Sequence, residues 1–341
     1  MKPSRPTKRS TIMDVAKLAN VSISTVSRVL NQTAPVADST VRRVEEAIDI
    51  LGFQPDPAAR SLAGSKTRTL GILLPGLTNP FFSLLMSGVE QSVRDADFDL
   101  LIYLTSIARL QGGRHLLPLN EHNTNGLLIY TDALTSKEIK RLYDQDFPMT
   151  ILFETVPDNL TIPTVTIDNI RGARLAVDHL IEDAGRRRIA FLRELLGNTD
   201  SAEREIGYRQ SLEDHGIEVD EALIVEGDYG NESCQPVIQQ WLEQPDSIDA
   251  IFADCDRLAV QVVENLHQAN VNIPQQVSVV GFDDVTMTKH MNPPLTTVRS
   301  PIAEAGRRAI ELLVQQIETG KTESCHLSTE LVVRDSSVVK K

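Results

Sequence analysis

The sequence predicts an α/β protein in which a small helical head precedes a large, doubly wound body. Two short segments with helical periodicity lie on either side of Asn20–Ser22, near the start of the chain. From Thr69 onward, apolar strand-like runs alternate with helical patterns, which is typical of parallel sheets covered by helices on both faces. The chain has 341 residues, and about 270 residues of this alternating pattern favour two similar lobes.

The segment from Ile12 to Asn31 has the pattern of a helix-turn-helix. Asn20 stands where the chain must turn sharply, and Asn tolerates a left-handed backbone better than most residues. Ser22 is a good N-cap for the second helix. An ordinary helical hairpin in a core is the alternative, but the three Ser and one Thr between Ser22 and Arg28 suit phosphate contacts better. The apolar positions are Ile12, Val15, Ala16 and Ala19 in the first helix and Val26, Val29 and Leu30 in the second.

A third helix and a proline-rich segment follow. The third helix carries an apolar stripe from Val41 to Leu51, and Asp38 is placed to cap it or to favour its N-terminus through the helix dipole. Gly52 is expected to end this helix. Residues 55–64 suit a hinge helix that is too short to be stable alone in water. We expect this segment to become ordered only with DNA and a partner copy, and a plain linker is the alternative.

The body contains regular strand-like and helical patterns. The strand-like runs cover 70–74, 100–104, 126–129, 150–153, 165–167, 188–192, 222–225, 250–252 and 277–281. The helical patterns between them include 83–96, 169–183, 202–215, 234–243 and 256–269. In open sheets of this kind, a ligand binds at the carboxyl ends of the strands, which here predicts a cleft between two lobes.

Charge is divided unevenly along the chain. The net charge is −13, yet residues 1–65 carry nine Lys and Arg against six Asp and Glu, whereas the remainder carries 25 against 41. A basic head on an acidic body is expected to approach DNA head-first, because the body repels phosphate. The first residues lack the apolar run of a signal peptide, and Cys234, Cys255 and Cys325 lie far apart. These features predict a protein of the reducing cytoplasm with no membrane partner.

The common motifs of catalysis are missing from the sequence. No GxGxxG follows a strand, and neither HExxH nor GxSxG occurs. Gly320-Lys321-Thr322 imitates the end of a phosphate-binding loop, but Gln315 stands where that loop requires Gly, and the triplet follows a helix instead of opening one. We therefore expect a protein that is not an enzyme and that uses no metal and no cofactor.

Seven short motifs occur in a fixed order along the chain. They are TIMDVAKLANVSISTVSRVLN at 11–31, PDPAARSLAG at 55–64, NPFF at 79–82, DN at 168–169 followed by GARLAVDHL, VSVVGFDD at 277–284, PPLTTVRSP at 293–301 and TELVVRDS at 329–336. This ordered set resembles the lac-repressor (LacI/GalR) family of bacterial transcription regulators. The resemblance implies a three-helix head, a hinge helix and a two-lobed body like that of periplasmic binding proteins. It also implies a homodimer on a near-palindromic operator.

The resemblance implies which residues contact DNA. Ile23, Ser24 and Arg28 look like base readers, with Arg28 forking onto a guanine. Ala59 and Leu62 match the minor-groove positions of the hinge, where Leu62 would be the wedge that kinks the duplex. The positions that match phosphate anchors are Thr11, Ser22, Thr25, Ser27 and Asn31.

The resemblance also places an effector in the cleft between the lobes. The matching positions are Phe81, Phe82, Asp132, Arg204, Tyr229, Cys255 and Asp283. A carboxylate and an Arg can fork onto vicinal hydroxyls while aromatic side chains cover a ring face, which suits a sugar. Alternatives stay open for single residues. Asp283 can be a cap after its strand, one or both phenylalanines can be plain core, and Tyr229 can be a loop anchor.

Four positions depart from the family pattern. Cys255 stands where the family usually has Asn, which removes a polar ligand contact and leaves the identity of the effector in doubt. Ala37 replaces the usual Ser cap of the third helix, and Asn20 replaces the turn Gly. Arg186 replaces a usual His in what we expect to be only a surface loop.

These observations predict a ligand-responsive repressor of carbohydrate uptake or catabolism genes, acting as a cytoplasmic homodimer. The expected division is a basic arm at 1–10, a DNA-binding domain at 11–54, a hinge helix at 55–64 and an effector-binding and dimerisation domain at 65–341. Within that domain the N-lobe would cover about 68–168 and 300–328, and the C-lobe about 169–299 and 329–341. A purine-type regulator that needs a corepressor and a solute-binding protein without a regulatory role are the alternatives.

Overall fold

The chain forms two compact units, a helical head within residues 1–68 and a body built from residues 69–119 and 126–341. The computed structural model describes residues 10–31, 34–53, 68–105, 117–130, 133–154, 156, 160–193, 199–227, 234–243 and 248–338. The predictions for the hinge, with Ala59 and Leu62, for all but the last residue of the basic arm, and for Asp132 and Tyr229 lie outside these residues.

The head contains three helices, α1 (Ile12–Ala19), α2 (Ile23–Asn31) and α3 (Asp38–Leu51). A capping box begins α1, because the Thr11 side chain accepts a hydrogen bond from the Asp14 N–H and the Asp14 carboxylate accepts one from the Thr11 N–H. The helix ends at Asn20, whose φ of 54° is the predicted left-handed turn. This turn sets α2 against α1 without a glycine.

The third helix completes the hydrophobic core of the head. Ala37 precedes α3 without a side-chain cap, so Asp38 lies inside the first turn and acts through the helix dipole instead of capping. Val15, Val26 and Val44, one from each helix, are fully buried together. The three apolar stripes thus share one small core.

The first sheet of the body is entirely parallel. Its strands are β1 (Thr69–Leu74), β2 (Asp99–Leu104), β3 (Gly126–Tyr130), β4 (Met149–Leu152), β5 (Thr164–Ile167) and β11 (Cys325–Leu327). They lie in the order β11-β5-β4-β3-β1-β2. Its helices are α4 (Pro80–Asp95), α5 (Ser136–Tyr143) and α10 (Ile302–Thr319). We call this sheet and its helices the first lobe.

The second sheet repeats that order. Its strands are β6 (Ile189–Arg193), β7 (Ile224–Glu226), β8 (Ala250–Ala253), β9 (Ser278–Asp283), β10 (Thr296–Arg299) and β12 (Glu330–Val332), ordered β12-β10-β9-β8-β6-β7. Its helices are α6 (Asn169–Glu182), α7 (Thr199–Asp214), α8 (Cys234–Glu243) and α9 (Asp256–Gln268). We call this group the second lobe. It departs from an all-parallel sheet at one edge, because β12 pairs with β10 in the antiparallel sense.

Three crossings join the lobes, and each begins at the carboxyl end of a strand. The chain leaves β5 for α6, leaves β10 for α10, and leaves β11 for β12. Since β5 exits the first sheet toward the second lobe and β10 exits the second sheet toward the first, the carboxyl ends of both sheets face the crossings. Hydrogen bonds tie the crossings together, with the Asp168 N–H donating to the Leu327 carbonyl at 2.9 Å and the Thr329 hydroxyl donating to the Asp168 carbonyl at 3.1 Å.

In each lobe two helices cross at a glycine. A Cβ added at Gly88 of α4 would lie 1.8 Å from the carbonyl oxygen of Ala303 in α10. A Cβ added at Gly207 of α7 would lie 2.3 Å from the carbonyl oxygen of Ile170 in α6. Both crossings therefore require a residue without a side chain.

The body contains elements that the sequence pattern does not indicate. Strands β10, β11 and β12 are too short to show a clear alternation. Helices α5 and α10 also lie outside the helical patterns named above, although each buries an apolar face. The expected strand at 222–225 is partly wrong, because Glu221–Leu223 is a 3₁₀ turn capped by the Asp220 side chain and the strand begins at Ile224. Helix α4 begins earlier than expected because the Asn79 side chain caps it.

Arg186 corrects another expectation, since it does more than occupy a surface loop. Its Nε donates to the Ser278 hydroxyl at 3.0 Å, and its other nitrogens reach the carbonyl oxygens of Pro274 and Gln276. The side chain therefore fixes the turn before β6 to the start of β9. Across the described ranges, no helix is long and apolar enough to span a membrane.

Candidate functional site

The outer face of α2 presents a mixed polar and apolar surface. The helical register buries Val26 in the head core and leaves Ile23, Ser24 and Arg28 exposed, with Ile23 at 47%. The exposed side chains on this helix thus include an apolar group, a hydroxyl and a guanidinium. This combination suits a surface that contacts a partner, such as base edges in a DNA groove.

Hydroxyl groups gather at the start of α2. The Ser22 Oγ accepts from the Thr25 N–H at 3.1 Å, which is the predicted N-cap bond, and it lies 2.8 Å from the hydroxyls of both Ser24 and Thr25. A helix start with exposed hydroxyls is a suitable place for a phosphate oxygen. Of the other predicted phosphate anchors, Thr11 donates to the Asp14 carboxylate at 2.7 Å, Ser27 is half-buried, and the side chain of Asn31 lies outside the described part of the chain.

In the body, Arg204 is a buried cation at the carboxyl edge of the second sheet. It lies on α7, which follows β6, and only 5% of its surface is exposed. Its Nη1 donates to the Asp254 carbonyl oxygen at 2.7 Å and to the Asp254 carboxylate at 3.2 Å. Its Cζ lies 3.9 Å from the ring centroid of Phe282. The guanidinium is thus held on one side by a strand end and on another by an aromatic face.

Asn169 connects this cation to the first crossing between the lobes. The Arg204 Nε donates to the Asn169 Oδ1 at 2.9 Å. The Asn169 Nδ2 donates to the carboxylates of Asp200 at 2.9 Å and Glu203 at 3.0 Å. Asn169 is the first residue of α6, two residues after the end of β5, so the crossing itself orients the charged groups.

Asp283 faces the same cluster from the end of β9. Its φ of 111° is a left-handed backbone value that L-residues rarely adopt, and such strain is typical of functional sites. Its Oδ1 lies 3.5 Å from the Ser300 hydroxyl and 4.0 Å from the Arg204 Nη2. Both contacts are long, so Ser300 and Arg204 hold this carboxylate only weakly.

Burial shifts the titration of these groups. Burial raises the pKa of Asp200 to about 6, although Arg204 and the Asn169 hydrogen bond oppose the rise. Burial also raises the pKa of Asp283 well above its ordinary value, and the neighbouring carboxylates of Asp256, Asp254 and Asp200 add to the rise. For Arg204, burial alone would lower the pKa, but the surrounding carboxylates raise it above the ordinary value. Burial thus favours the protonated forms of Asp200 and Asp283, while Arg204 stays charged.

Cys255 and Asp256 follow β8 and begin the next helix. Cys255 precedes α9 at its N-cap position, is 6% exposed, and makes no side-chain cap bond. Asp256 accepts from the Thr297 hydroxyl at 2.6 Å and from the Val285 N–H at 2.8 Å. Burial raises the pKa of Asp256 to about 7 despite these bonds. Asp256 thus holds the loop that follows β9, directly after Asp283.

The carboxyl edge of the first sheet is aromatic. Phe81 and Phe82 lie in the first turn of α4, Tyr130 ends β3, and Phe153 follows β4. Their rings meet edge to face, with Phe81 5.5 Å from Phe82 and 5.6 Å from Phe153, and Phe82 5.1 Å from Tyr130. Phe81 and Phe82 are 8% and 7% exposed, so both belong to the core as well as to the strand-end edge.

Several members of the site are absent from the sequence prediction. The structure places Asn169, Asp200 and Asp254 around the predicted Arg204, and it places Tyr130 and Phe153 beside the predicted phenylalanines. Asp254, Tyr130 and Phe153 lie at or just after the carboxyl ends of strands. Because ligands bind there in open α/β sheets, these positions could have been predicted from the sequence. Asp200 lies four residues before Arg204 on the same helix, which is another readable signal.

A helix-turn-helix head combined with a two-lobed α/β body defines a class of DNA-binding regulators. Residues 11–56 match the family model of bacterial regulatory proteins of the lacI family, and residues 177–337 match a periplasmic binding protein-like domain. The chain is 32% identical to the HTH-type transcriptional repressor PurR of Photobacterium profundum, over 96% of this chain and 98% of that protein. It is 34% identical to the ribose operon repressor of Escherichia coli (strain K12), over 90% of this chain and 93% of that protein.

A solved structure of the transcriptional regulator CelR in complex with cellobiose is also similar. It shares 30% identity and a TM-score of 0.70 with this chain, and the match covers 96% of this chain and all of that one. This chain belongs to the lacI family of bacterial regulatory proteins. The curated relatives named above are transcriptional repressors, as their names state.

Proposed function

We propose that this protein is a cytoplasmic, non-enzymatic repressor of carbohydrate uptake or catabolism genes, whose operator affinity changes when a sugar binds the body. The observation that carries the proposal is that Arg204 and Asp283 lie together at the carboxyl edge of the second sheet, with Nη2 and Oδ1 4.0 Å apart. An Arg and a carboxylate together fork onto vicinal hydroxyls. The ribose operon repressor and the cellobiose complex of CelR, both similar to this chain, support a sugar as the ligand class.

On the DNA side, the proposal assigns base reading to Ile23, Ser24 and Arg28 and phosphate contacts to the hydroxyls near the start of α2. The exposure of these side chains supports the assignment. The segment 55–64 would add a minor-groove contact through Leu62 and Ala59. The proposed division is therefore a DNA-binding domain at 11–54, a hinge at 55–64 and an effector-binding and dimerisation domain at 65–341.

A second copy of the chain is the proposed partner. The strand β2 forms one edge of the first sheet, and its Leu101, Ile102 and Leu104 are 41%, 45% and 49% exposed. An edge strand with apolar side chains turned outward favours association. Two copies would place two reading helices on the half-sites of a near-palindromic operator.

The crossings provide a route from the ligand to the DNA. Asn169 of the first crossing contacts Arg204, and Ser300 of the second crossing contacts Asp283. A ligand that pulls on Arg204 and Asp283 therefore acts on two crossings at once, which would favour one lobe orientation over another. The shift in operator affinity can then be no larger than the difference in ligand affinity between the two orientations.

Operator selection tests the proposal. Genomic fragments bound by the full chain are isolated and then measured by gel shift over a range of salt concentrations. Arg28→Ala is expected to weaken specific binding by roughly 10- to 100-fold, which corresponds to about 1–3 kcal/mol for one bidentate base contact. Arg43→Ala removes the same charge from α3, where Arg43 is exposed and donates to Thr40, and should leave the specificity intact.

Two outcomes of this experiment would contradict the proposal. A chain with no salt-sensitive specific site is not an operator-binding regulator. Equal losses for Arg28→Ala and Arg43→Ala would remove the base-reading role from Arg28. Repeating the gel shift with sugars and with nucleobases shows whether a ligand releases the operator or strengthens its binding.

A further inference from the structure

The turn at the end of β9 contains two successive residues with a left-handed backbone. Asp283 has a φ of 111° and Asp284 a φ of 56°. L-residues rarely adopt the value at Asp283, so this conformation persists only where the surrounding contacts hold it. Asp283 is also the carboxylate to which the proposed function assigns ligand hydroxyls. The contacts that hold this turn therefore determine where the Asp283 carboxylate points.

Two arginines hold the turn through the carboxylate of Asp284. This side chain is 10% exposed and accepts a hydrogen bond on each oxygen, from the Arg334 Nη2 at 2.5 Å and from the Arg299 Nε at 2.7 Å. Hydrogen bonds between a guanidinium and a carboxylate are among the strongest that side chains form. Asp284 therefore cannot turn away without breaking two ion pairs.

Arg334 also binds the residues that follow Asp284. Its Nη1 donates to the Leu295 carbonyl oxygen at 2.7 Å and to the Thr288 hydroxyl at 3.2 Å. The Thr288 hydroxyl in turn donates to the Val285 carbonyl oxygen at 2.8 Å. Together with the bond between the Val285 N–H and the Asp256 carboxylate, these contacts anchor the residues directly after Asp283.

Arg299 extends these contacts to the second crossing between the lobes. It is the last residue of β10, and the chain passes from it to α10 of the first lobe. In the sheet it is paired with Asp283 of β9 on one side and with Glu330 of β12 on the other. Its Nη1 donates to the Glu330 carboxylate at 2.6 Å. One guanidinium thus joins three strands at the point where the second crossing begins.

Glu330 brings the same ion pairs to the third crossing. It is the first residue of β12 and directly follows Thr329, whose hydroxyl donates to the Asp168 carbonyl oxygen. The ion pairs that begin at Asp284 therefore end beside the bonds that tie the first and third crossings together. We call this group of side chains the Asp284 clamp; its members are Asp284, Arg299, Glu330 and Arg334.

We propose that Asp284 is a positioning residue of the effector site, which holds Asp283 toward Arg204 and couples this turn to the crossings between the lobes. The inference rests on the proposed ligand-responsive repressor and assigns a regulatory element to its site. A ligand that binds Asp283 displaces the turn, and the Asp284 clamp passes the displacement to the second and third crossings. The clamp thus acts on the ligand through Asp283.

Hydrogen–deuterium exchange of the full chain without ligand tests the proposal. Asp284→Asn keeps the shape of the side chain and removes its charge. We expect exchange to become about fivefold faster in peptides from the turn, 282–288, and from the crossings, 299–305 and 327–332. Amides of the second crossing are bonded locally, such as the Ala305 N–H to the Pro301 carbonyl oxygen, so their exchange reports its opening. Helix α5 of the first lobe should keep its exchange rate.

Two further variants locate the effect. Asp214→Asn removes a carboxylate from an exposed pair with Arg174 and should leave all three peptides unchanged. Arg299→Gln cuts the link to the crossings and keeps the Arg334 pair, so exchange should rise in 299–305 and 327–332 and little in 282–288. The Arg299 side chain is 48% exposed, so this variant is expected to fold. A circular-dichroism melt checks each variant, and if Asp284→Asn unfolds, Arg299→Gln decides the question.

Gel shifts with the same variants connect exchange to operator binding. Asp284→Asn is expected to change operator affinity by about threefold or more, because the coupling acts on the lobe orientation. The salt dependence of binding should stay the same, because no phosphate contact is altered. Asp214→Asn should bind the operator as the unaltered chain does.

The outcomes separate this inference from the function on which it rests. Faster exchange confined to 282–288 makes Asp284 a brace of its own loop and overturns the coupling. Unchanged exchange in a folded Asp284→Asn overturns the positioning role as well. Faster exchange at the crossings with unaltered operator affinity overturns the transmission to DNA. A chain without a salt-sensitive operator contradicts the repressor instead, and the exchange measurements still decide whether the clamp joins the turn to the crossings.

Discussion

The two lobes of the body have the same architecture and opposite chemistry at their facing edges. Both sheets have six strands in the same topological order, and both have a helix pair that crosses at a glycine. The first lobe ends its strands in Tyr130, Phe153 and the paired phenylalanines, whereas the second ends them in carboxylates around Arg204. The two lobes also differ at one sheet edge, where β12 is antiparallel and β11 is parallel. The difference in chemistry lies at the strand ends.

This difference shows how the fold separates stability from recognition. Within the described residues, every buried charged side chain belongs to the second lobe, and the buried polar side chains of the first lobe are uncharged. Removing one side chain at each edge should therefore have effects of different size and different pH dependence. The first lobe should respond as a hydrophobic core and the second as a coupled set of charges.

The largest effect is expected for Arg204→Met. The substitution leaves Asp254, Asp200 and Asp283 buried without the cation of Arg204. The free energy of unfolding should therefore fall by about 3–5 kcal/mol. The loss should be larger at pH 8 than at pH 5, because the pKa of Asp200 is about 6 and that of Asp283 is raised, so these carboxyls take up protons at pH 5. Urea denaturation at the two pH values measures both expectations.

Arg174→Met is the matched control, because Arg174 pairs with Asp214 on the outside of the same two helices. An exposed pair of this kind contributes about 0–1 kcal/mol, so the control should be nearly neutral at both pH values. Equal losses for the two variants would show that the charges around Arg204 are not coupled, and the contrast between the lobes would lose its physical basis.

An intermediate effect is expected for Asp256→Asn, which should change how the free energy of unfolding varies with pH. Burial raises the folded pKa of Asp256 from 3.8 to about 7, so its protonated form is favoured in the folded state. That contribution is fully present below pH 4 and is lost as the pH rises through 7. The free energy of unfolding of Asp256→Asn, minus that of the unaltered chain, should therefore be roughly 3–4 kcal/mol larger at pH 8 than at pH 4.

Urea titrations at four pH values measure that gain. Asp214→Asn, which removes an exposed carboxylate, should run parallel to the unaltered chain. A difference between Asp256→Asn and the unaltered chain that stays constant with pH would mean that Asp256 titrates normally in the folded protein. Other titratable groups would then cause the pH dependence of the stability of this lobe.

The sequence predicts the helices and long strands better than the groups that meet at the carboxyl ends of the strands. The helix-turn-helix, the turn at Asn20 and the order of the long apolar strands follow from local periodicity and capping, which a single segment contains. The Arg204 cluster joins Asn169, Asp200 and Asp254, which are separated by up to 85 positions and meet only when the strands are ordered in the sheet. Strands β10 to β12 are equally hidden, because pairing partners and not their own pattern define them.

The smallest effect is expected at the aromatic edge. Phe153 is 1% exposed and its ring lies 5.6 Å from Phe81 and 5.8 Å from Tyr130. Phe153→Leu keeps most of the apolar volume and loses two edge-to-face contacts, so the free energy of unfolding should fall by about 1–2 kcal/mol. The fall should be the same at pH 5 and pH 8, because no titratable group in the described part of this edge is buried.

Phe147→Leu is the matched control at the other end of the same strand, since Phe147 is buried just before β4. Similar small losses are expected for both variants in urea titrations, but only Phe153→Leu should weaken ligand binding in calorimetry, because only Phe153 lies at the carboxyl edge. A loss at Phe153 that grows with pH would mean that the aromatic edge is coupled to the carboxylates across the cleft. The two lobes would then form a single electrostatic site instead of an apolar wall opposite a charged one.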